Sequence, residues 1–391
     1  MNPTRAPGTV VCLSHLRWNF VYQRPQHILS RAAQKYRVIY IEEPNVLDGC
    51  EPFLDINSDP SGVVVVTPVS PRGQHPDKLL RDLFASLPQE PLTLWYYTPL
   101  GLAQTRHLDA DVVVYDCMDE LSAFRFAPPE LKAAEAELLT RADIVFTGGQ
   151  SLYEAKRHRH PNVHAFPSSV DAAHFGKARQ SGLADPADQT GIAHPRLGFF
   201  GVIDERFDAD LLARMADLRP DWSFVMIGPV VKIGPATLPQ RANIFWLGSR
   251  DYKDLPAYLA HWDLGLMPFA LNEATRFISP TKTPEFLAAG LPVVSSGITD
   301  VVQPYGEQGL VAIAGSADEL VSACQELLTR PRGAWLAEVD AFIADLSWDR
   351  TWDAMHALMR ASARPRQKAN APGLQTHRTA ERAEGGHHVG L

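Results

Sequence analysis

The residues with the clearest chemical potential lie in one segment near position 280. Ser279 and Thr281 carry hydroxyl groups, Lys282 carries a cation, and all three stand at the predicted start of a helix. The first turn of a helix exposes free N–H groups and a partial positive charge, so this combination is typical of an anion site. The three side chains fit a diphosphate. The alternative is that Ser279 or Thr281 only caps the helix.

Glu285 lies within the same predicted helix, in the sequence E-F-L-A-A-G-L-P-V-V. This sequence resembles the E-A-M-A-x-G-x-P-V-V signature of the two-domain nucleotide-sugar glycosyltransferases known as the GT-B superfamily. The resemblance implies that Glu285 binds the ribose hydroxyls of a donor nucleotide. In family 4 of these enzymes a second Glu stands eight positions earlier and contacts the donor sugar, whereas this chain has Phe277 there. That departure leaves the donor-sugar contacts, and the choice between retaining and inverting chemistry, open.

Arg206 follows the first predicted strand of the second half of the chain, in G-V-I-D-E-R. The resemblance implies that it corresponds to the arginine of the family's glycine-rich loop, which pairs with the donor diphosphate. A guanidinium group offers a planar fork of donors, and together with Lys282 it could neutralise a leaving diphosphate without a metal ion. The alternative is a surface arginine that pairs with Asp204 or Asp208.

Four residues with aromatic or polar side chains follow the first predicted strand of the N-terminal half: His15, Arg17, Trp18 and Arg24. This is where we expect the facing wall of a cleft between two domains. Such side chains suit a sugar or lipid-linked acceptor, with Trp18 as a stacking face. The alternative for His15 is a purely structural role.

Three carboxylates, Asp116, Asp119 and Glu120, run off the end of an apolar strand. A general base must lie near the acceptor hydroxyl to take its proton, and Asp119, just past the strand end, is the predicted base. The alternative is that Asp116 or Asp119 satisfies loop amides. The surrounding sequence, Y-D-C-M-D-E-L-S-A-F with the later R-A-D-I-V-F-T-G-G, resembles bacterial glycosyltransferases of teichuronic-acid or exopolysaccharide synthesis. That resemblance covers most of residues 9 to 360.

Short apolar runs alternate with longer amphipathic stretches along almost the whole chain, which predicts repeated strand–helix–strand units and parallel sheets. The pattern forms two series, so the predicted fold is α/β, with two doubly wound Rossmann-like domains facing across a cleft (GT-B) and a C-terminal closing helix. The predicted divisions are an acceptor-side domain at 1–175, a linker at 176–195, a nucleotide-sugar-binding domain at 196–346, a closing helix at 347–362 and a disordered tail at 363–391.

The composition is that of an ordinary globular protein, with 391 residues, 45% hydrophobic and 21% charged. A formal net charge of −8 disfavours nucleic acid as a partner.

The four cysteines show no CxxC spacing, so buried thiols are expected rather than a zinc or redox site. Two D-x-D strings, at 109–111 and 208–210, do not follow a buried strand. We therefore predict no metal site, and no cofactor beyond a nucleotide-sugar substrate.

No apolar run has the length of a signal peptide or reaches the roughly 18 residues of a membrane span, which predicts a cytoplasmic protein. Peripheral contact with the inner face of the membrane is left open. The predicted function is transfer of a sugar from a nucleoside diphosphate donor to a carbohydrate or lipid-linked acceptor in cell-surface polysaccharide synthesis. The alternatives are a nucleotide-sugar epimerase or hydrolase of the same fold, and a non-catalytic nucleotide-sugar-binding protein.

Overall fold

The computed structural model describes residues 8–364 of the chain. The predicted tail at 363–391 lies outside the described residues except for its first two positions. The β-strands are β1 Thr9–Ser14, β2 Arg37–Glu42, β3 Asn45–Val46, β4 Phe53–Ser58, β5 Val64–Ser70, β6 Leu92–Tyr96, β7 Val112–Cys117, β8 Ile144–Thr147, β9 Val163–Ala165, β10 Arg196–Phe200, β11 Ser223–Ile227, β12 Ile244–Gly248, β13 Leu264–Met267, β14 Val293–Ser295 and β15 Val311–Ile313. The α-helices are α1 Arg24–Ala32, α2 Asp77–Ala85, α3 Leu102–Thr105, α4 Leu131–Arg141, α5 Gln150–Lys156, α6 Ala172–Phe175, α7 Ala209–Leu218, α8 Leu255–Leu259, α9 Lys282–Ala288, α10 Thr299–Val301, α11 Ala317–Thr329, α12 Gly333–Ile343 and α13 Trp348–Ala361.

The strands of the described chain form two separate sheets. The first has nine strands in the order β3-β5-β2-β1-β6-β7-β8-β9, with β4 added antiparallel to β5, and its other pairings are parallel. Strands β1 and β7 are buried along their whole length. Helices cover both faces of a parallel sheet, and this explains why these strands are continuous apolar runs rather than alternating ones.

The second sheet has six parallel strands in the order β12-β11-β10-β13-β14-β15. In each sheet the order reverses beside the first strand, between β1 and β6 and between β10 and β13. Open α/β sheets bind ligands at this point, outside the carboxyl ends of the strands. Both halves of the chain are therefore doubly wound, as the alternating pattern predicted.

The last helix, α13, packs on the N-terminal sheet rather than on the domain that precedes it in the chain. Four of its side chains, Trp348, Trp352, Met355 and Met359, are buried in the hydrophobic core around β1, β6 and β8. The Ser347 hydroxyl accepts the backbone N–H of Arg350 and so caps its first turn. The chain thus crosses from the first domain to the second and returns.

The sequence pattern did not predict β4 or α12. Phe53 and Ile56 of β4 are about half exposed, because this strand forms the edge of the sheet and buries little of its surface. Helix α12 lies in a segment without strong amphipathic spacing, although it buries Trp335 and Val339 in the C-terminal core. Within residues 8–364, no helix is both long enough and apolar enough to cross a membrane.

Candidate active site

Two adjoining cavities open between the carboxyl ends of the two sheets. The smaller has a volume of about 120 Å³ and the larger about 890 Å³, and Val21, Gly201 and Lys282 line both. Each cavity is lined by residues of both domains. Gly228 is required beside this cleft, because its φ is 144° and a Cβ there would overlap the carbonyl oxygen of Gly201.

Lys282 begins α9 and projects along the wall that the two cavities share. Its Nζ donates hydrogen bonds to Glu285 Oε2 (2.7 Å) and Thr281 Oγ1 (3.1 Å) and lies 4.5 Å from the centre of the Phe200 ring. Thr281 is the N-cap residue of α9, but its side chain makes no capping hydrogen bond. Ser279, Thr281 and Lys282 all line the smaller cavity.

Glu285 lies behind Lys282 rather than at the surface of either cavity. It is 3% exposed, and burial raises the pKa of its carboxyl group while the Lys282 ammonium and the Thr281 hydroxyl oppose that shift. The ion pair fixes the direction of the Lys282 side chain. The ribose contact that the sequence resemblance implied for Glu285 remains a prediction.

Arg206 lines the smaller cavity and is held by Asp204. The guanidinium donates to both oxygens of Asp204, from Nε at 2.9 and 3.2 Å and from Nη2 at 2.7 Å, and the Arg206 backbone N–H donates to the same carboxylate. Asp204 is buried. The pairing foreseen as an alternative therefore exists, yet Arg206 still faces the cavity, because Asp204 occupies only one edge of its fork.

Asp119 faces this cation from the opposite domain. It follows the end of β7 and lines the smaller cavity, and within residues 8–364 its carboxylate has no hydrogen-bond or ion-pair partner. Burial raises its pKa from 3.8 to about 6, and Arg206 opposes the shift while Asp204 adds to it. A carboxylate with such a pKa is suited to accept a proton near neutral pH.

The two neighbouring carboxylates have structural partners. Asp116 is fully buried and accepts hydrogen bonds from Nε and Nη2 of Arg24, at 2.8 to 3.1 Å. Glu120 forms an ion pair with the buried Lys156 at 2.5 Å. Only Asp119 of this trio is left to act in the cavity.

The predicted acceptor-side residues do not all meet at one place. Arg24 lines the smaller cavity and Trp18 the larger one, where the Trp18 indole N–H donates to Asp59 Oδ2 (2.9 Å). Arg17 lines neither cavity, since it is held by Glu42, Asn45 and the carbonyl of Glu43 at the edge of the sheet.

His15 also lines neither cavity. Its Nδ1 is buried and has no hydrogen-bond partner among residues 8–364. Burial, together with the Lys232 and Arg206 cations, lowers the pKa of its imidazole to about 4. His15 is therefore neutral at physiological pH.

The segment before α9 joins the two domains beside the site. Phe277, which stands where the second Glu of family 4 would be, packs against the core of the N-terminal domain. Ser168 Oγ donates to the backbone oxygen of Ser279 (2.7 Å). A second bond between the domains lies beyond α9, where the Ser151 N–H donates to Asp300 Oδ1 of α10 (3.0 Å). Phe277 therefore contributes to the contact between the domains, and this position supplies no carboxylate to the smaller cavity.

Several residues in or beside the cavities were not predicted from the sequence. Tyr22 and Tyr252 line the larger cavity from opposite domains and stack at 4.6 Å. Asp204 was considered only as a partner of Arg206 and not as part of the site. Single aromatic residues in loops carry no distinguishing spacing, so only the fold brings them together.

The D-x-D strings take structural roles. Asp208 accepts the Leu211 N–H (2.8 Å) and caps α7, while Asp111 Oδ2 accepts the Leu92 N–H (2.8 Å). Among the described side chains, no group of three or more His, Cys, Asp or Glu residues could hold a metal ion.

Comparison with known proteins agrees with this architecture. Residues 194–330 match the family model for "Glycosyl transferases group 1". The chain is 27% identical over 261 residues to the putative teichuronic acid biosynthesis glycosyltransferase TuaH of Bacillus subtilis (strain 168), an alignment that spans 62% of this chain and 65% of the relative.

Solved structures with the same fold include the Escherichia coli trehalose-6-phosphate protein bound with UDP-2-fluoro glucose (TM-score 0.66, 12% identity, 90% of this chain and 99% of that one). Sucrose-phosphate synthase of Thermosynechococcus elongatus (0.66, 14%, 90% and 98%) is another, as is WaaG, a glycosyltransferase involved in lipopolysaccharide biosynthesis (0.61, 14%, 90% and 99%). The chain therefore has the GT-B fold, as predicted. Its C-terminal domain resembles the domains that this family model describes.

Proposed function

We propose that this protein transfers a glycosyl group from a nucleoside diphosphate sugar to a saccharide or lipid-linked acceptor, in the synthesis of a cell-surface polysaccharide. One observation carries the proposal: Arg206 and Lys282 of the C-terminal domain line the same cavity as the unpaired carboxylate of Asp119 from the other domain. Two cations that can bind a diphosphate, opposite one base that can take a proton from an acceptor hydroxyl, suit transfer from a nucleoside diphosphate donor. The likeness to the teichuronic acid glycosyltransferase supports the same reaction class.

In this proposal Arg206 and Lys282 bind the donor diphosphate, assisted by the hydroxyl groups of Ser279 and Thr281. Negative charge accumulates on the diphosphate as the bond to the sugar breaks, and fixed cations stabilise that charge without reorganisation. Because two cations already serve this purpose, we propose that the reaction is metal-independent. Glu285 is assigned to the ribose of the donor.

Asp119 takes the proton of the acceptor hydroxyl as that oxygen attacks the anomeric carbon. A base in this position implies a single displacement with inversion at the anomeric carbon. We assign Arg24 and Trp18 to the walls of the acceptor site, with His15 and Arg17 further from the reacting atoms. Within the same proposal the protein works in the cytoplasm and meets lipid-linked acceptors at the inner face of the membrane.

The proposal is tested by incubating the protein with a panel of UDP-, GDP- and ADP-sugars and measuring release of nucleoside diphosphate. Release that depends on a crude lipid or saccharide acceptor is the expected result. Release that is indifferent to acceptor would identify a hydrolase or epimerase instead. Nucleotide binding without release would identify a non-catalytic binding protein.

A further inference from the structure

One aromatic side chain of the N-terminal domain, Phe124, lies against the loops of the other domain that carry Arg206 and Lys232. The ring of Phe124 lies 5.3 Å from the Arg206 guanidinium and 4.8 Å from the Lys232 ammonium, measured to the ring centre. Both cations come from the C-terminal domain. Cations at such distances are attracted to the electron-rich face of an aromatic ring, so the two contacts join the domains.

Glu205 adds a polar contact at the same place. Its Oε1 accepts the backbone N–H of Arg125 (3.2 Å) and forms an ion pair with Lys232 (3.5 Å). The loop that begins at Asp119 is thus bound to the loop that carries Arg206 through a ring, a backbone amide and a carboxylate.

The backbone on both sides of this contact is strained. Within residues 8–364, the non-glycine residues with a left-handed φ are Phe126 (66°) and Lys232 (61°). One follows Phe124 by two positions and the other contacts its ring. Conformations of this kind persist only where surrounding contacts impose them, and they are concentrated at functional sites.

We propose that Phe124 is the positioning residue through which the N-terminal domain closes over the donor diphosphate, so that the acceptor rather than water reaches the sugar. This inference rests on the proposed glycosyl transfer. The Phe124 ring contacts the same guanidinium that faces the donor cavity, and its loop carries Asp119 to that cavity. Loss of the contact lets Asp119 move away from Arg206 and widens the cavity that both residues line.

Water then competes with the acceptor in a balanced reaction. A water oxygen bonds to the anomeric carbon, the bond from that carbon to the diphosphate oxygen breaks, and Asp119 receives the proton. The products are free sugar and nucleoside diphosphate. A closed site disfavours this hydrolysis, because the bound acceptor then occupies the position from which water would attack the anomeric carbon.

The experiment compares Phe124→Leu, which keeps apolar volume but removes the aromatic face, with Phe124→Tyr, which keeps the face. We expect Phe124→Leu to raise acceptor-independent release of nucleoside diphosphate from the nucleotide sugar about fivefold and to lower acceptor-dependent transfer by a similar factor, since a cation–π contact has this magnitude. Phe124→Tyr retains wild-type behaviour. Phe126→Leu is the matched control and leaves both rates unchanged, because this side chain lies in the same loop but is 78% exposed and contacts Arg125 rather than a residue of the other domain.

Two further measurements separate the possible failures. Lys232→Met removes one of the two cations and leaves the Phe124 ring in place. We expect it to raise the ratio of hydrolysis to transfer, as Phe124→Leu does. Lys232→Arg, which keeps the cation, should retain the wild-type ratio. Small-angle scattering, which needs no turnover, shows a larger radius of gyration for Phe124→Leu than for the wild type, each saturated with whichever of UDP, GDP or ADP binds the wild type most tightly. Unchanged rates together with an unchanged radius would overturn the inference. If the wild type turns over no nucleotide sugar, the proposed function fails, and the scattering still decides whether Phe124 closes the domains.

Discussion

At the scale of single residues, the partners of each carboxylate decide which one can react. The sequence places three acids after β7, and spacing alone does not separate them. The fold does so because Asp116 must compensate the buried Arg24, and Glu120 the buried Lys156. Only Asp119 keeps both a free carboxylate and a place in the cavity. Such assignments depend on burial and partners, which a sequence does not display.

Asp119→Asn tests the base directly. The amide preserves shape but cannot accept a proton, so kcat should fall by about 10² to 10⁴ while donor affinity is unchanged. A residue that only binds the acceptor would raise KM instead. The anomeric configuration of the product should also be determined by NMR. Retention of configuration, or full activity of the variant, would show that Asp119 is not the base. Asp221→Asn, at the protein surface, is the control.

The raised pKa of Asp119 also fixes how activity and stability depend on pH. In the free enzyme the base is protonated below its pKa of about 6, so kcat/KM should fall as the pH drops through that value. Because folding raises this pKa from 3.8, the ionised carboxylate costs folding free energy; the cost is absent below pH 4 and complete above pH 6. Asp119→Asn should therefore raise Tm at pH 8 but not at pH 3.5, as calorimetry can show. A loop-anchoring role would lower Tm at both values.

Arg206→Ala should weaken binding of a nucleoside diphosphate by roughly 1.5 to 3 kcal/mol, the range for a charge-assisted hydrogen bond, and leave binding of the nucleoside unchanged. Titration calorimetry measures both. Arg219→Ala is the matched control, since Arg219 forms the same two-residue pairing with Asp221 at the surface. Equal diphosphate affinity in the Arg206 variant and the wild type would show that this cavity does not hold the donor phosphates.

Lys282 needs a different design, because its removal leaves Glu285 buried without a cation. The double variant Lys282→Met with Glu285→Gln removes both charges together. We expect a loss of diphosphate affinity at least as large as for Arg206→Ala, together with weaker binding of the nucleoside, since Glu285 is assigned to the ribose. Activity of the wild type should persist in excess EDTA, and complete dependence on Mn²⁺ or Mg²⁺ would contradict the proposal that the two cations suffice.

At the scale of elements, apolar runs predicted most strands and amphipathic spacing most of the longer helices. The apolar runs T-V-V-C-L-S and V-V-V-Y-D-C coincide with β1 and β7, and the amphipathic stretch from Ala317 to Thr329 coincides with α11. The elements that the pattern missed have separate physical causes. Strand β4 gains its stability from pairing with β5 at the sheet edge and not from burial, so no apolar run marks it. Strand order is equally hidden, since it is set by how the crossover connections pack.

Helix α13 provides a test at this scale. Trp352 is 3% exposed within the N-terminal core, so Trp352→Ala should lower the free energy of unfolding by about 3 to 5 kcal/mol, as measured by urea denaturation. Asp353 is adjacent, and its side chain is 70% exposed. Asp353→Ala should change the same quantity by less than about 0.5 kcal/mol. Similar effects for the two variants would show that α13 is not part of that core.

At the scale of the whole molecule, the sequence predicts that the tail contributes nothing to the folded body. The tail has no aromatic residue and is rich in Arg, Gly, Pro and His. Arg364, at the end of the described chain, still pairs with Asp143 (2.8 Å), so the informative deletion is 365–391. Tm and nucleoside diphosphate affinity should both be unchanged. A loss of several degrees would show that the tail packs on the body.

The return of α13 to the first domain gives the molecule an unusual connectivity. Both ends of the described chain belong to one folded unit. The donor-side unit is inserted into it through two junctions, one between Phe166 and Val170 and the other between Leu346 and Trp348. A chimera that changes the donor specificity would therefore exchange an internal cassette, leaving β1 and α13 together. A fusion made only at the first junction would bring in the α13 of the other protein. That helix would then have to pack on an acceptor-side core whose side chains do not match it.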